Sequence, residues 1–94
     1  MNLETISYFQ NDFGKINTEK VYFNEMEEEY SFHKIAYIEL KKQRLYFGLH
    51  IYYVQVIFTN SSSKTTGVQK KNLKEVKEFI RYFSKYRSRH PQLD

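Results

Sequence analysis

The sequence predicts a single α+β domain in which a strongly bent antiparallel sheet is packed by one C-terminal amphipathic helix. Four extended runs rich in aromatic and β-branched residues fill the first 59 residues of the 94-residue chain. A strongly amphipathic segment, Leu73–Tyr86, follows, and its apolar side needs the sheet as a packing partner. Because this length supports one hydrophobic core, we assign residues 1–88 to the domain and 89–94 to a polar tail.

The first two runs and their turns are read from alternation and from turn residues. Leu3–Gln10 predicts the first strand, and the sequence "NDFG" after it predicts a turn. Lys15–Phe23 predicts the second strand, with Val21 and Phe23 on one face. The acidic stretch Asn24–Glu29 predicts a solvated turn.

The third run, Glu29–Lys42, has apolar residues on both faces. Ile35 and Tyr37 share one face. The other face carries Tyr30, Phe32, Ala36, Ile38 and Leu40, interrupted by Lys34. This pattern is typical of a strand that bends or passes from one sheet to another.

The fourth run begins inside Leu45–Phe58, a stretch of fourteen residues without a formal charge. A membrane-spanning helix needs about 20 apolar residues, so we predict no integral membrane segment. As a strand, Leu49–Thr59 places apolar residues on both faces, which predicts a central strand covered on each side. The polar loop after it contains a short edge strand near Thr65–Gln69.

The helix is the clearest element of the sequence. At about 100° per residue, the apolar side chains share one arc: Leu73, Val76, Phe79, Ile80 and Phe83. The opposite arc, here called the basic helix face, consists of Lys74, Lys77, Arg81 and Lys85. Asn72 and Glu75 have the spacing of a capping box, and Pro91 lies past the predicted end.

Three segments resemble the bacterial pleckstrin-homology-like (PH-like) domains: "GKINTEKVYFN", "YSFHKIAYIELKK" and the final "NLKEVKEFIRYF". The resemblance covers most of the chain as a pattern of residue classes, without a motif of fixed letters. It implies a partly closed barrel or sandwich and a binding scaffold without catalytic residues. Related small chains often carry a membrane hairpin after the strand that ends in basic residues, whereas here "KKQRLYFG" runs directly into the next strand.

The sequence offers no catalytic, metal-binding or cofactor-binding signature. It has no Cys, which excludes disulfides and thiolate chemistry. His33, His50 and His90 have no metal-ligand spacing, although the first two could meet across paired strands. Glu25–Glu29 is better explained as a solvated turn than as an acid–base pair or a calcium loop. We therefore predict a protein that is not an enzyme and that uses no cofactor.

Charge is distributed unequally along the chain. Residues 1–40 carry a net charge of −5 and residues 41–94 a net charge of +9. This separation suggests distinct acidic and basic surfaces, with the basic helix face as the candidate partner-binding site. The same face could also be only the solvated side of an amphipathic helix.

Two functions remain open at this point. The first is a small interaction module that binds a protein partner or a second copy through the acidic turn and the basic helix face. The alternative is a nucleic-acid-binding protein that uses the basic helix face, or an aromatic stacking platform on Leu45–Phe58. An anionic surface is a further candidate partner. The N-terminus lacks the pattern of a signal peptide, so we expect a cytoplasmic protein.

Overall fold

The computed structural model describes residues 7–89, with side chains for residues 8–88. The strands are β1 (Ser7–Gln10), β2 (Gly14–Asn17), β3 (Lys20–Phe23), β4 (Glu28–Ser31), β5 (Ile35–Arg44), β6 (His50–Phe58) and β7 (Ser63–Val68), and the α-helix is α1 (Leu73–Arg89). The class is α+β, as predicted. Leu3 to Ile6 of the predicted first strand, and Pro91 with most of the predicted tail, lie outside the described residues.

The first sheet is a four-stranded antiparallel meander in the order β1-β2-β3-β4. The prediction of one strand over Lys15–Phe23 is wrong, because the chain turns back after Asn17. The Asn17 side-chain oxygen accepts hydrogen bonds from the backbone N–H groups of Glu19 at 2.9 Å and Lys20 at 2.7 Å. This Asx turn replaces the strand ladder locally. Val21 and Phe23 are nevertheless buried on one face, as predicted.

The chain passes from the first sheet to the second at a 3₁₀ turn, Phe32–Lys34, inside the predicted third run. The Phe32 side chain is buried, and its N–H donates to Glu19 O at 2.8 Å. Lys34 O accepts from Thr59 N–H at 2.9 Å, which ties the turn to the end of β6. The strands therefore form two hydrogen-bonded sheets, which agrees with the expectation that this run bends or changes sheet.

The second sheet has three antiparallel strands in the order β5-β6-β7. Thus β6 is central and β7 is an edge strand, both as predicted. The prediction that both faces of β6 are covered is wrong. Val54 and Val56 are fully buried on the inner face, but on the outer face Ile51 is 43% exposed and Tyr53, Gln55 and Ile57 are only half-buried. The single helix has room to cover only the inner face, where it completes the core.

Helix α1 packs its apolar arc on both sheets. Val76, Phe79 and Phe83 are fully buried in the common core. The carbonyl of Glu75 accepts from Asn11 Nδ2 at 2.8 Å, which fixes the first turn of the helix beside the β1–β2 turn. Arg87 Nε donates to Ile35 O at 3.0 Å and fixes the other end beside β5.

The predicted capping box is not formed. Asn72 ends a 3₁₀ turn that leads directly into α1, and its N–H donates to Gln69 O at 2.9 Å. Glu75 Oε2 has no hydrogen-bond partner among the described residues. Helical geometry therefore begins before Asn72 could serve as an N-cap, since an N-cap residue needs extended backbone. The helix also continues through Arg89, past its predicted end.

Candidate functional site

The β5–β6 hairpin extends beyond the body of the protein. The last pair between β6 and β7 is Tyr52 with Val68, and beyond it β5 and β6 pair only with each other. Every residue from 41 to 51, here called the hairpin end, is exposed. The principal dimensions of the molecule are 58 × 26 × 22 Å, so one axis is more than twice either other. A two-stranded ribbon of this kind adds little stability in water, which invites a functional explanation.

The apex of the hairpin end is apolar. Phe47 is 100% exposed and Tyr46 is 87% exposed, and Leu45, Leu49 and Ile51 are exposed beside them. Leu45 N–H donates to Leu49 O at 2.7 Å, and Leu49 N–H donates to Tyr46 O at 3.4 Å. These bonds close the turn and hold both tip aromatics outward.

The backbone at the apex is unusual for an aromatic residue. Phe47 has φ 64° and Gly48 has φ 74°, so two successive residues are left-handed. Hairpin turns that need this conformation favour Asn-Gly, because a side chain with a bulky Cβ substituent is disfavoured there. Phe at this position costs about 1–2 kcal/mol relative to a residue that tolerates the left-handed region. The protein thus exposes a phenyl ring where folding alone favours a small polar residue.

Positive charge follows immediately behind the apex. Lys41, Lys42 and Arg44 lie on β5 within the hairpin end, and residues 41–51 contain no Asp or Glu. Lys42 Nζ lies 5.9 Å from the centre of the Tyr52 ring. Lys41 Nζ lies 3.5 Å from Glu39 Oε2, an exposed pair of little energetic weight. The hairpin end therefore combines an apolar apex with three cationic side chains behind it on β5.

The acidic turn lies near the base of the hairpin. Glu25 lines an open depression together with the β6 segment His50–Tyr53 and the end of β7. Glu28 accepts a hydrogen bond from the Tyr30 hydroxyl. Burial of Tyr30, and after it this bond to Glu28, raises the pKa of Tyr30 to about 12. The shift favours the protonated phenol, which donates the hydrogen bond to Glu28.

The basic helix face is exposed, as predicted: Lys74, Lys77, Arg81 and Lys85 all reach solvent. None of the four forms an ion pair with a side chain in residues 8–88. Arg81 lies 5.1 Å from the centre of the Tyr82 ring, and Lys85 lies 5.8 Å from the same ring. Tyr82 itself stacks on Phe9 at 4.3 Å, so two of these cations cover the seam between helix and sheet. Partner binding by this face stays a prediction.

A small cavity near the start of α1 is lined by acidic groups. Its volume is about 30 Å³, which is room for one water molecule. Asp12, Glu25 and Glu75 line it with Asn72 and two apolar residues. Within the described part of the chain no three His, Asp or Glu side chains are placed to hold a metal ion. His33 and His50 lie at opposite ends of the β5–β6 ladder and do not meet.

No family model, curated protein or solved structure matches the chain. Within residues 7–89, no helix has both the length and the apolar character needed to span a membrane.

Sequence analysis named Leu45–Phe58 as a candidate stacking platform but did not predict that residues 41–51 protrude as a hairpin end. The pattern of "KKQRLYFGLH" predicts only the approach to a covered strand. Two signals could have located the surface: Gly48 follows two aromatic residues at a turn position, and cations cluster on one side of it. The extent of β7 decides the exposure, and the sequence does not give the register of β7 on β6.

Proposed function

We propose that the protein is a small, non-enzymatic interaction module whose contact surface is the hairpin end. The observation that carries this proposal is the exposure of Tyr46 and Phe47 at the apex of a ribbon that adds nothing to the core. Contiguous exposed apolar residues on a small domain commonly mark a binding surface. The resemblance to PH-like domains, which implies a binding scaffold, and the expected cytoplasmic location belong to the same proposal.

The arrangement of titratable groups favours the proposal that the module is not an enzyme. Among residues 8–88 no polar or charged residue is buried as a whole, Glu75 Oε2 is a buried oxygen without a hydrogen-bond partner, and the one large pKa shift belongs to Tyr30 in a hydrogen bond with Glu28. Active sites usually combine a cleft with perturbed and mutually placed acids, bases or nucleophiles. The hairpin end is convex and has none of these.

Nucleic-acid binding through the basic helix face is the alternative. The observation in its favour is that four exposed cations share one side of α1 without ion-pair partners among the described side chains. Two of them already lie against Tyr82, so we rank this face below the hairpin end. If nucleic acid is the partner, the wild-type protein should be retained on heparin in a strongly salt-dependent way. Changing Lys77, Arg81 and Lys85 together to Gln should then lower the salt concentration at which it elutes. Unchanged retention contradicts the alternative.

Oxidative footprinting tests the contact surface directly. Hydroxyl radicals should label Tyr46 and Phe47 strongly in the isolated protein, because both rings are exposed. Addition of soluble or membrane fractions from the source cells should protect these two residues and leave Tyr22, an exposed tyrosine on β3, unchanged. Protection confined to Tyr82 and Tyr86, with the apex still labelled in every fraction, would refute the proposal.

A further inference from the structure

We propose that the hairpin end binds the surface of an anionic lipid bilayer. Residues 45–49 would enter the boundary between headgroups and acyl chains, and Lys42 and Arg44 would contact the phosphates. This inference rests on the proposed function, since it names the partner of the same surface.

The shape of the hairpin end favours a bilayer over a protein. The apolar residues lie at the end of a narrow, exposed two-stranded ribbon and do not form a broad flat face. A convex tip also needs a matching groove in a protein partner. A fluid interface rearranges around a small wedge and requires no preformed complement.

The spacing between apolar tip and cations matches the layers of a bilayer. Paired residues Leu45 and Leu49 mark the base of the apex. At about 3.4 Å per residue, Arg44 lies about 3 Å and Lys42 about 10 Å behind that level, and Lys41 about 14 Å, beyond the headgroups. The headgroup region of one leaflet is about 5–8 Å thick. With Leu45 at the acyl boundary, Arg44 lies within this region and the long Lys42 side chain reaches it.

The remaining side chains fit an interfacial position. Tyr46 at the apex combines an apolar ring with a polar hydroxyl, which is the chemistry enriched where membrane meets water. Glu25 near the base of the ribbon limits the depth, because deeper insertion would bring the acidic turn towards anionic lipid. The contact is thereby confined to the hairpin end.

The backbone conformation of Phe47 adds an independent reason. In the free protein the left-handed backbone of Phe47 is unfavourable for folding, and no contact of its exposed ring offsets that cost. Transfer of the ring out of water in the bound state offsets it. Phe47→Asn should therefore make the protein more stable and at the same time weaken lipid binding. A residue with a purely structural role cannot give these two effects together.

The absence of Trp from the chain provides a clean probe. In Phe47→Trp, emission should shift to the blue with mixed phosphatidylcholine and phosphatidylserine vesicles, and lipids brominated high in the acyl chain should quench it. Tyr37→Trp is the matched control, because Tyr37 is exposed on β5 at the far end of the same ribbon. Its emission should not change. Equal shifts at both positions, or no shift at either, overturn the lipid inference.

Vesicle sedimentation measures the affinity. Phe47→Asn should weaken binding by about tenfold or more, since a large apolar side chain no longer leaves water. Each Gln in place of Lys42 or Arg44 should weaken it by about fivefold on anionic vesicles. Pure phosphatidylcholine vesicles should bind far less wild-type protein, and salt should reduce the difference.

The outcomes separate the lipid inference from the proposed function. Suppose that the wild-type protein does not bind vesicles and that the Phe47→Asn variant has a lower sedimentation coefficient than wild type. The hairpin end then contacts a second copy of the chain, and only the lipid inference fails. If vesicles bind and the change of Lys77, Arg81 and Lys85 to Gln abolishes binding while Phe47→Asn does not, the proposed contact surface is wrong.

Discussion

A single methyl group added at Gly14 should destabilise the protein strongly. Gly14 opens β2 and pairs with Phe23 of β3. A Cβ atom there would overlap the backbone carbonyl oxygen of Tyr22 and would lie 3.1 Å from Cε2 of the buried Phe79 ring. Neither neighbour is the free end of a flexible side chain, so β3 or α1 has to shift. Overpacking costs about 1–3 kcal/mol, and we expect Gly14→Ala to fall at the upper end.

Thermal and urea denaturation, followed by circular dichroism, measure this effect. For a domain of this size about 3 kcal/mol corresponds to a fall in Tm of about 12–24 °C. Gly67→Ala is the matched control: Gly67 also lies in a strand, and a Cβ atom added there would meet nothing within 4 Å. It should leave stability within about 0.5 kcal/mol of wild type or raise it slightly. A Gly14→Ala protein that melts within about 2 °C of wild type would refute the close packing of β2, β3 and α1.

Three further predictions test the burial of β6, the helix and the phenol at the acidic turn. Val54→Asp should prevent folding, because Val54 is fully buried, whereas Ile51→Asp, in the hairpin end with 43% exposure, should remain folded; similar melts would contradict the burial of Val54. Phe79→Ala should lower the free energy of unfolding by about 4 kcal/mol in urea titration, and an unchanged midpoint would show that α1 does not pack on the sheets. Tyr30 should ionise near pH 12, above the ordinary tyrosine pKa of 10. Its ionisation is measured by titrating the tyrosinate absorbance of wild type and of Tyr30→Phe with pH and subtracting the second curve from the first. Its raised pKa stabilises the folded state below about pH 10, and this contribution disappears as the pH rises through about 12; titration at the ordinary value contradicts it.

Short-range signals predicted most of the element types. The periodicity of Leu73–Tyr86 gave the helix and its buried arc because one helical face must leave water, whatever it packs against. The continuous apolar and aromatic run Leu49–Thr59 predicted β6 as a central strand, but its inference that both faces are covered was wrong. The division of Lys15–Phe23 was missed because both halves have strand composition, and only the Asn17 side chain marks the turn.

The sequence alone determined the class of the domain, the buried side of its helix and the residue composition of its most exposed turn. Those properties follow from local spacing and from the transfer of apolar side chains out of water. Tertiary structure decided which of the apolar surfaces stays uncovered. The register of β7 on β6 places Val68, the last residue of β7, opposite Tyr52. Helix α1 covers only the inner face of the second sheet. The same kinds of side chain thus form a core at Val54 and an exposed tip at Phe47, because burial depends on neighbours that are distant in the chain.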